Sequence, residues 1–148
     1  LESRESALAD VYARWQHEAL VVSQWLTVQA TRPDVDCVES VQALMTHPAF
    51  DWRNPNKLRA LIGAFAGANP IAFHREDGAG YRLMGEVIER LQASNPQIAA
   101  RMLAPMTRWR RYAVGQEAMR AELERLAAID PLPKDVFEVV TKALEEPS

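Results

Sequence analysis

The strongest constraint on this chain is the period of its apolar residues, which return every three or four positions, segment after segment, along almost its whole length. Leu8, Val11, Tyr12 and Trp15 fall on one stripe of a first helix. Leu20 to Val28 forms a second stretch, with Val22, Trp25 and Leu26, which Arg32-Pro33 closes because proline disfavours helical geometry in its predecessor. Asp36 and Glu39 have the spacing of a capping box ahead of Val38, Val41, Leu44 and Met45, and His47-Pro48 stops that third segment. Asn54-Pro55 offers an N-cap and a first-turn proline to Leu58, Leu61, Ile62 and Phe65, in a helix ending near Gly67. Residues 69–80 read as the longest connection, before Tyr81, Met84, Ile88 and Leu91 mark a fifth helix. Asn95-Pro96 opens a sixth with Ile98, Met102, Leu103 and Met106, and Met119, Leu123 and Leu126 lie on a seventh. Beyond Pro131 and Pro133, Val136, Phe137, Val140 and Leu144 mark an eighth. Strict two-residue alternation is almost absent, so the expected fold is all-α, with about eight helices in antiparallel pairs.

By their numbering Asn54 and Asn95 lie 41 residues apart, within the roughly 40 to 47 residues of a HEAT or armadillo helix pair. That spacing predicts an α-solenoid. A length of 148 residues fits one sizeable core, and residues 1–148 are expected to form a single helical domain. The chain opens at Leu1 in already helical sequence rather than at Met, as expected of a piece of a longer protein. A formal net charge of -3 gives no general pull toward nucleic acid or anionic lipid, and no apolar run approaches the ~20 residues of a membrane span. Neither partner is expected. Cys37 is the only cysteine, so the chain can form no internal disulfide, and a reducing cytoplasm is the expected compartment.

Chemistry-bearing patterns are sparse. His17, His47 and His74 are far apart and lack the i, i+4 spacing of helical zinc ligands, so no metal or other cofactor is expected in this chain, and each histidine is assigned to capping or solvent contact. Cys37 stands near a helix start, where a thiolate is favoured, but no base accompanies it and it reads as a small buried hydrophobe. Asp77-Gly78-Ala79-Gly80 precedes a helix without the Lys-Ser or Lys-Thr of a phosphate loop, which favours a loop and N-cap role. Arg108, Arg110 and Arg111 interleave with Trp109 and Tyr112 as on a base-stacking surface, yet late in a helix such cations also complement its dipole. Trp15, Trp25, Tyr81 and Trp109 fall at core-facing positions, and Glu117 to Glu124 with Arg120 and Arg125 has the pattern of a solvated face. Arg59, Gln97 and Arg101 each follow an Asn-Pro start within two turns, so stacked repeats would bring them to one concave face.

The run Asn54-Pro55-Asn56-Lys57-Leu58-Arg59-Ala60-Leu61-Ile62-Gly63-Ala64-Phe65 resembles the C-terminal region of the bacterial aminopeptidase N family, the alanyl aminopeptidases of the gluzincin superfamily. The likeness continues through Asn69-Pro70, Phe73-His74, Asp77-Gly78, Gly80-Tyr81, Asn95-Pro96-Gln97, Arg101, Met119-Arg120-Ala121 and Lys142-Ala143-Leu144, with the tail Glu145 to Ser148 slightly overrunning the family's ending. The resemblance implies a non-catalytic helical domain folded over the mouth of a zinc exopeptidase that removes N-terminal residues from peptides. The zinc motif and the loop that holds the substrate amine are both absent here, so the zinc is expected in the parent enzyme's catalytic domain. The resemblance also implies that Arg59, Gln97 and Arg101 lie on the lining of the peptide-access cavity. The expected partners are that catalytic domain and peptide substrates, and exposed apolar surface would let the isolated fragment self-associate. An independent helical-repeat module binding a peptide or protein is the alternative reading.

Overall fold

The computed structural model describes residues 2–112 and 114–145, and every regular element among them is helical. The chain divides into two compact units, Leu1–Asn69 and Pro70–Ser148. The tail beyond Glu145 lies outside the described residues.

The first unit holds α1 (Glu2–Trp15), α2 (Ala19–Ala30), α3 (Cys37–Leu44), α4 (Pro55–Leu58) and α5 (Ala64–Ala68), the last two joined without a break by a π-helical turn, Arg59–Gly63. Asn54 sits in extended conformation and its Oδ1 accepts from the amides of Asn56 and Lys57 at 3.0 and 3.2 Å, so donors that a helix start leaves unpaired are satisfied as the Asn-Pro signal predicts. The π turn has an external partner: Thr27 Oγ1 of α2 donates to the Ala60 carbonyl at 2.7 Å, the kind of side-chain insertion that distorts a helical ladder. Leu58, Leu61, Ile62 and Phe65 still point one way and are fully buried, in a segment that packs on α2, where Leu26 is fully buried as well. Each such side chain contributes roughly 2 kcal/mol by leaving water.

In α3 the expected capping box is not made. Asp36 is already in helical conformation and its side chain caps nothing, while the preceding turn is built by Asp34, whose Oδ1 accepts from the Asp36 amide at 2.9 Å and whose carbonyl accepts from the Cys37 amide at 2.9 Å. Trp15 is a second departure. It is 47% exposed, so its helical spacing placed it on the apolar stripe without giving it a neighbour to bury it.

The second unit contains α6 (Pro70–Phe73), α7 (Ala79–Leu91), α8 (Pro96–Met102), α9 (Ala104–Thr107), a 3-10 turn (Trp109–Arg111), α10 (Gln116–Ala127) and α11 (Lys134–Glu145). Helix α7 packs on α8 and α10, and α11 on α8 and α10, around Met84, Ile88, Leu103, Met119, Leu123 and Val136. Two expectations need correction. The 69–80 connection contains a helix, α6, because Pro70 suits a first turn and Ala72 and Phe73 are buried. The sixth predicted helix is broken into α8, α9 and the 3-10 turn, since Pro105 lacks the amide that a continuous ladder requires. No helix among the described residues is long and apolar enough to cross a membrane.

Candidate functional site

Arg59 opens the π turn and is exposed, with its Nη2 donating to Asn56 Oδ1 at 2.7 Å. Asn56 stands three positions earlier, the spacing at which helical side chains meet, so the amide aims the guanidinium. Among the described residues this partner is neutral, so the cation is oriented without being neutralised. Asn56 was missed as a positioning residue, although its spacing from Arg59 was visible in the sequence. Beside it, Asn54, Asn56 and Lys57 with Ala19, Leu20 and Ser23 border an open pocket of about 470 Å³.

Gln97 and Arg101 belong to the second unit. They stand at i and i+4 on α8 and are exposed, while Ile98, Ala99 and Met102 turn into the core. Asn95 Oδ1 accepts from the Ile98 amide at 3.3 Å, so the second Asn-Pro start forms as predicted and fixes where this pair begins. Among the described residues the side chains of Gln97 and Arg101 make no hydrogen bond or ion pair, which leaves an amide and a guanidinium adjacent and available. Such donors suit peptide carbonyls and carboxylates, and a planar guanidinium can hold a carboxylate through two hydrogen bonds.

The remaining candidates resolve into structural roles. His47 packs rather than facing solvent, its ring 4.7 Å from that of Tyr12 and 5.1 Å from that of Trp25, while its Nδ1 accepts from the Ala49 amide at 3.0 Å. His74 is likewise drawn into packing: its ring is 4.5 Å from Tyr112 and its Nδ1 shares a hydrogen bond of 2.6 Å with the hydroxyl of buried Tyr81. Gly115, at φ +87°, passes so close to that hydroxyl that a Cβ there would collide with it. Both imidazoles are pushed below their ordinary pKa by desolvation. Among the described residues no three His, Cys, Asp or Glu side chains come together as metal ligands.

Cys37 is fully buried, its thiol donating to the Gln29 and Ala30 carbonyls at 3.2 and 3.4 Å, and burial pushes its pKa up rather than down. The Asp77 carboxylate accepts two bonds from Arg75 at 2.9 and 3.1 Å and one from the Ala79 amide at 3.0 Å, which holds its pKa at about 2 and uses a donor an anion would need. Arg110 corrects the reading of its cluster: it stacks 4.2 Å over Trp109 and donates to the Ala143 and Leu144 carbonyls at 2.7 and 2.9 Å, capping α11 rather than complementing its own helix. Arg120–Glu124 and Arg125–Glu89 pairs at 3.4 and 2.7 Å make the solvated face expected of α10.

Stability should follow the two depressed histidines. A histidine whose folded pKa lies below its unfolded value of about 6.5 binds more protons unfolded, so its contribution is complete above that pH and is lost as pH falls through the folded pKa. Melting temperature is therefore expected to decline as pH drops below about 6.5, with a further loss between about 4 and about 2 as Asp77 protonates. His47→Phe keeps a ring beside Tyr12 and Trp25 and should flatten the first decline. An equal slope in that variant would contradict the assignment.

Residues 1–145 match the model of a family described as a domain of unknown function, DUF3458_C, with ARM repeats. The chain is 48% identical over 143 residues to aminopeptidase N of Haemophilus influenzae, an alignment covering 96% of this chain and 16% of that protein. To aminopeptidase N of Escherichia coli it is 43% identical over 145 residues, covering 97% of the chain and 17% of the relative. Aminopeptidase N of Caulobacter vibrioides is 45% identical over 143 residues, with coverage of 95% and 16%. The crystal structure of Legionella pneumophila aminopeptidase A in complex with aspartic acid superposes with a TM-score of 0.91 at 34% identity, over 99% of this chain and 17% of that one. The chain thus spans 16% to 17% of the length of these proteins. Together with the helical architecture, the ARM-repeat match bears out the helical-repeat fold class.

Proposed function

The chain belongs to the DUF3458_C family of ARM-repeat domains, and from that premise we propose that residues 1–148 form the non-catalytic C-terminal helical domain of a cytoplasmic, zinc-dependent aminopeptidase, with Arg59, Gln97 and Arg101 on the lining of its peptide-access cavity. The observation that carries this reading is the pairing of 43% to 48% identity across nearly all of the chain with coverage of only 16% to 17% of each aminopeptidase N. A piece so similar, and so small a share of the whole, is a component of the enzyme. Zinc does not fit these residues: His47 is committed to the Ala49 amide and two aromatic rings, His74 to Tyr81, and Cys37 is sealed against carbonyls. No step of the hydrolysis is assigned to this chain.

What the chain contributes is enclosure and guidance. The oriented guanidinium of Arg59 and the free donors of Gln97 and Arg101 hold the backbone or terminal carboxylate of a peptide as it moves toward the metal. Such contacts are made equally in the ground and transition states, so they act on KM rather than kcat.

The double variant Arg59→Ala, Arg101→Ala in the full enzyme is therefore expected to raise KM for peptides of several residues by roughly tenfold, equivalent to about 1.4 kcal/mol, with kcat nearly unchanged. An aminoacyl anilide reaches no farther than the zinc pocket and should be unaffected. Both arginines are exposed, so the melting temperature should hold. An unchanged dependence on peptide length would end the guiding role, as would equal losses for every substrate accompanied by lower thermal stability.

A further inference from the structure

The pocket beside Arg59 is rich in hydrogen-bond donors and poor in acceptors. It lies between the start of α2, with Ala19, Leu20 and Ser23, and the start of α4, with Asn54, Asn56 and Lys57. Its walls are fixed to each other, because Thr27 Oγ1 of α2 donates to the Ala60 carbonyl at 2.7 Å and α2 packs along the π turn that follows α4. Asn54 Oδ1 is committed to the amides of Asn56 and Lys57, and Asn56 Oδ1 to the Arg59 guanidinium. Each of these side chains therefore has only its amide nitrogen, a donor, left to offer. Lys57 adds an ammonium group and Ser23 a hydroxyl. Lys57 is half-buried, and among the described residues its side chain makes no hydrogen bond or ion pair. Asp51, which feels the charge of Lys57, accepts from the Arg53 amide at 2.9 Å and pairs with the Arg53 guanidinium at 3.7 Å. Glu18 precedes Ala19 in the chain, but no acidic side chain lines the pocket among the described residues.

Donors gathered around a cation suit an anion rich in acceptors, and a carboxylate is such a group, its two oxygens accepting about four hydrogen bonds between them. The apolar side chains of Ala19 and Leu20 suit the methylene carbons that carry it. We propose that this pocket is a carboxylate subsite that seats an acidic side chain or the C-terminal carboxylate of a peptide, with Lys57 as counter-ion and the amides of Asn54 and Asn56 as orienting donors. The inference rests on the reading of the chain as part of an aminopeptidase, whose substrates are peptides, and gives the route past Arg59 a preference for acidic ones. Asn56 then serves both groups, its oxygen aiming Arg59 and its nitrogen left for the pocket.

Binding of a matched peptide set to the full-length parent tests the inference. Each peptide is N-methylated at its first peptide bond to block cleavage and carries a fluorophore on an internal lysine, so that anisotropy gives Kd whether or not the protein hydrolyses peptides. One pair of peptides differs only by Glu or Gln in the interior, and a second only by a free or amidated C-terminus. In the unaltered parent, one of these neutral replacements is expected to weaken binding by roughly tenfold, and which one does so identifies the source of the carboxylate. Lys57→Gln should erase that difference and Lys57→Arg should keep most of it. Ser23→Asp, which sets a carboxylate into the pocket from the α2 wall, should erase it as well. A damaged fold would weaken both members of a pair alike, so the difference within a pair is the readout. Equal Kd values within both pairs in the unaltered parent, or no measurable binding, would overturn the inference. So would a preference that survives Lys57→Gln and disappears in Arg59→Ala, because the carboxylate would then sit on Arg59 alone. Aminoacyl anilide hydrolysis by the same unaltered sample separates the two readings: hydrolysis with equal Kd values sinks the subsite alone, and a Lys57-dependent preference without hydrolysis sinks the aminopeptidase reading while the subsite stands.

Discussion

Gly80→Ala is expected to destabilise unit 2 by roughly 3 kcal/mol, about a hundredfold in the ratio of folded to unfolded molecules. A Cβ built on Gly80 would overlap the carbonyl oxygen, carbonyl carbon and Cα of Phe73. These are backbone atoms at the end of α6, held because Phe73 is buried and because the Pro70 carbonyl accepts from the His74 amide at 3.0 Å. No rotamer change can relieve the contact, so α6 must move away from α7 and open the packing around Phe73 and Tyr81, whose rings meet edge to face at 5.3 Å. Gly67→Ala provides the comparison. Gly67 lies inside α5 with open space where a Cβ would project, so the same substitution there should stabilise by about 0.5 to 1 kcal/mol through helix propensity and reduced unfolded-state entropy. Urea midpoints of the two variants should move in opposite directions. A Gly80→Ala midpoint equal to that of the parent sequence would show that the α6–α7 approach is not tight.

Asn69→Leu should cost a similar amount, roughly 2 to 4 kcal/mol, through a different mechanism. Asn69 is the one buried polar residue among those described, at 1% exposure, and its Nδ2 donates to the carbonyls of Ala30 and Arg32 at 2.9 and 2.8 Å. Those carbonyls close the C-terminal end of α2 and the turn after it, and helix ends leave such groups without intrahelical partners. Leucine fills the space but offers no donor, so the Ala30 carbonyl keeps only the Cys37 thiol at 3.4 Å and the Arg32 carbonyl only the Asp34 amide at 2.8 Å, and the two lost bonds leave these acceptors short in a buried setting. Asn69→Asp makes the sharper test. An ionised carboxylate facing two carbonyl oxygens should be worse than leucine at neutral pH, and protonation at acid pH should restore part of the loss by returning one donor. Chemical denaturation at pH 7 and pH 4 distinguishes these cases, and equal destabilisation of the Asp variant at both would contradict the proposed contacts.

Asn69 also illustrates what the sequence could and could not convey. Its pairing with Pro70 was visible, but its role depends on carbonyls 37 and 39 residues earlier, which no local pattern reveals. Signals written within a few residues translated faithfully: both Asn-Pro starts form caps, and Leu58, Leu61, Ile62 and Phe65 bury together as their spacing predicts. Asp36 shows the limit of such signals, because its backbone has already turned helical and its side chain makes no cap bond. Pro105 was equally visible and was overrun by a strong apolar period, although its missing amide breaks the helix.

For the candidate site, position along the chain was readable and chemical state was not. Arg59, Gln97 and Arg101 are exposed, but only the folded chain reveals that Asn56 orients Arg59 and that Arg110, in a richer basic cluster, is occupied with the end of α11. The packing of the two histidine rings is not legible in the sequence because their partners, Tyr12 and Trp25 for one and Tyr81 and Tyr112 for the other, come from separate elements.

We have proposed that this chain is the non-catalytic helical domain of a zinc aminopeptidase. It is tested most directly by measuring zinc content and aminoacyl anilide hydrolysis on the same dialysed samples of the full-length parent and of the 148-residue chain. Stoichiometric zinc and chelator-sensitive hydrolysis are expected in the parent, with neither in the short chain. Zinc-dependent turnover that stays with the short chain, or a parent that binds no zinc and cleaves no anilide, would contradict it.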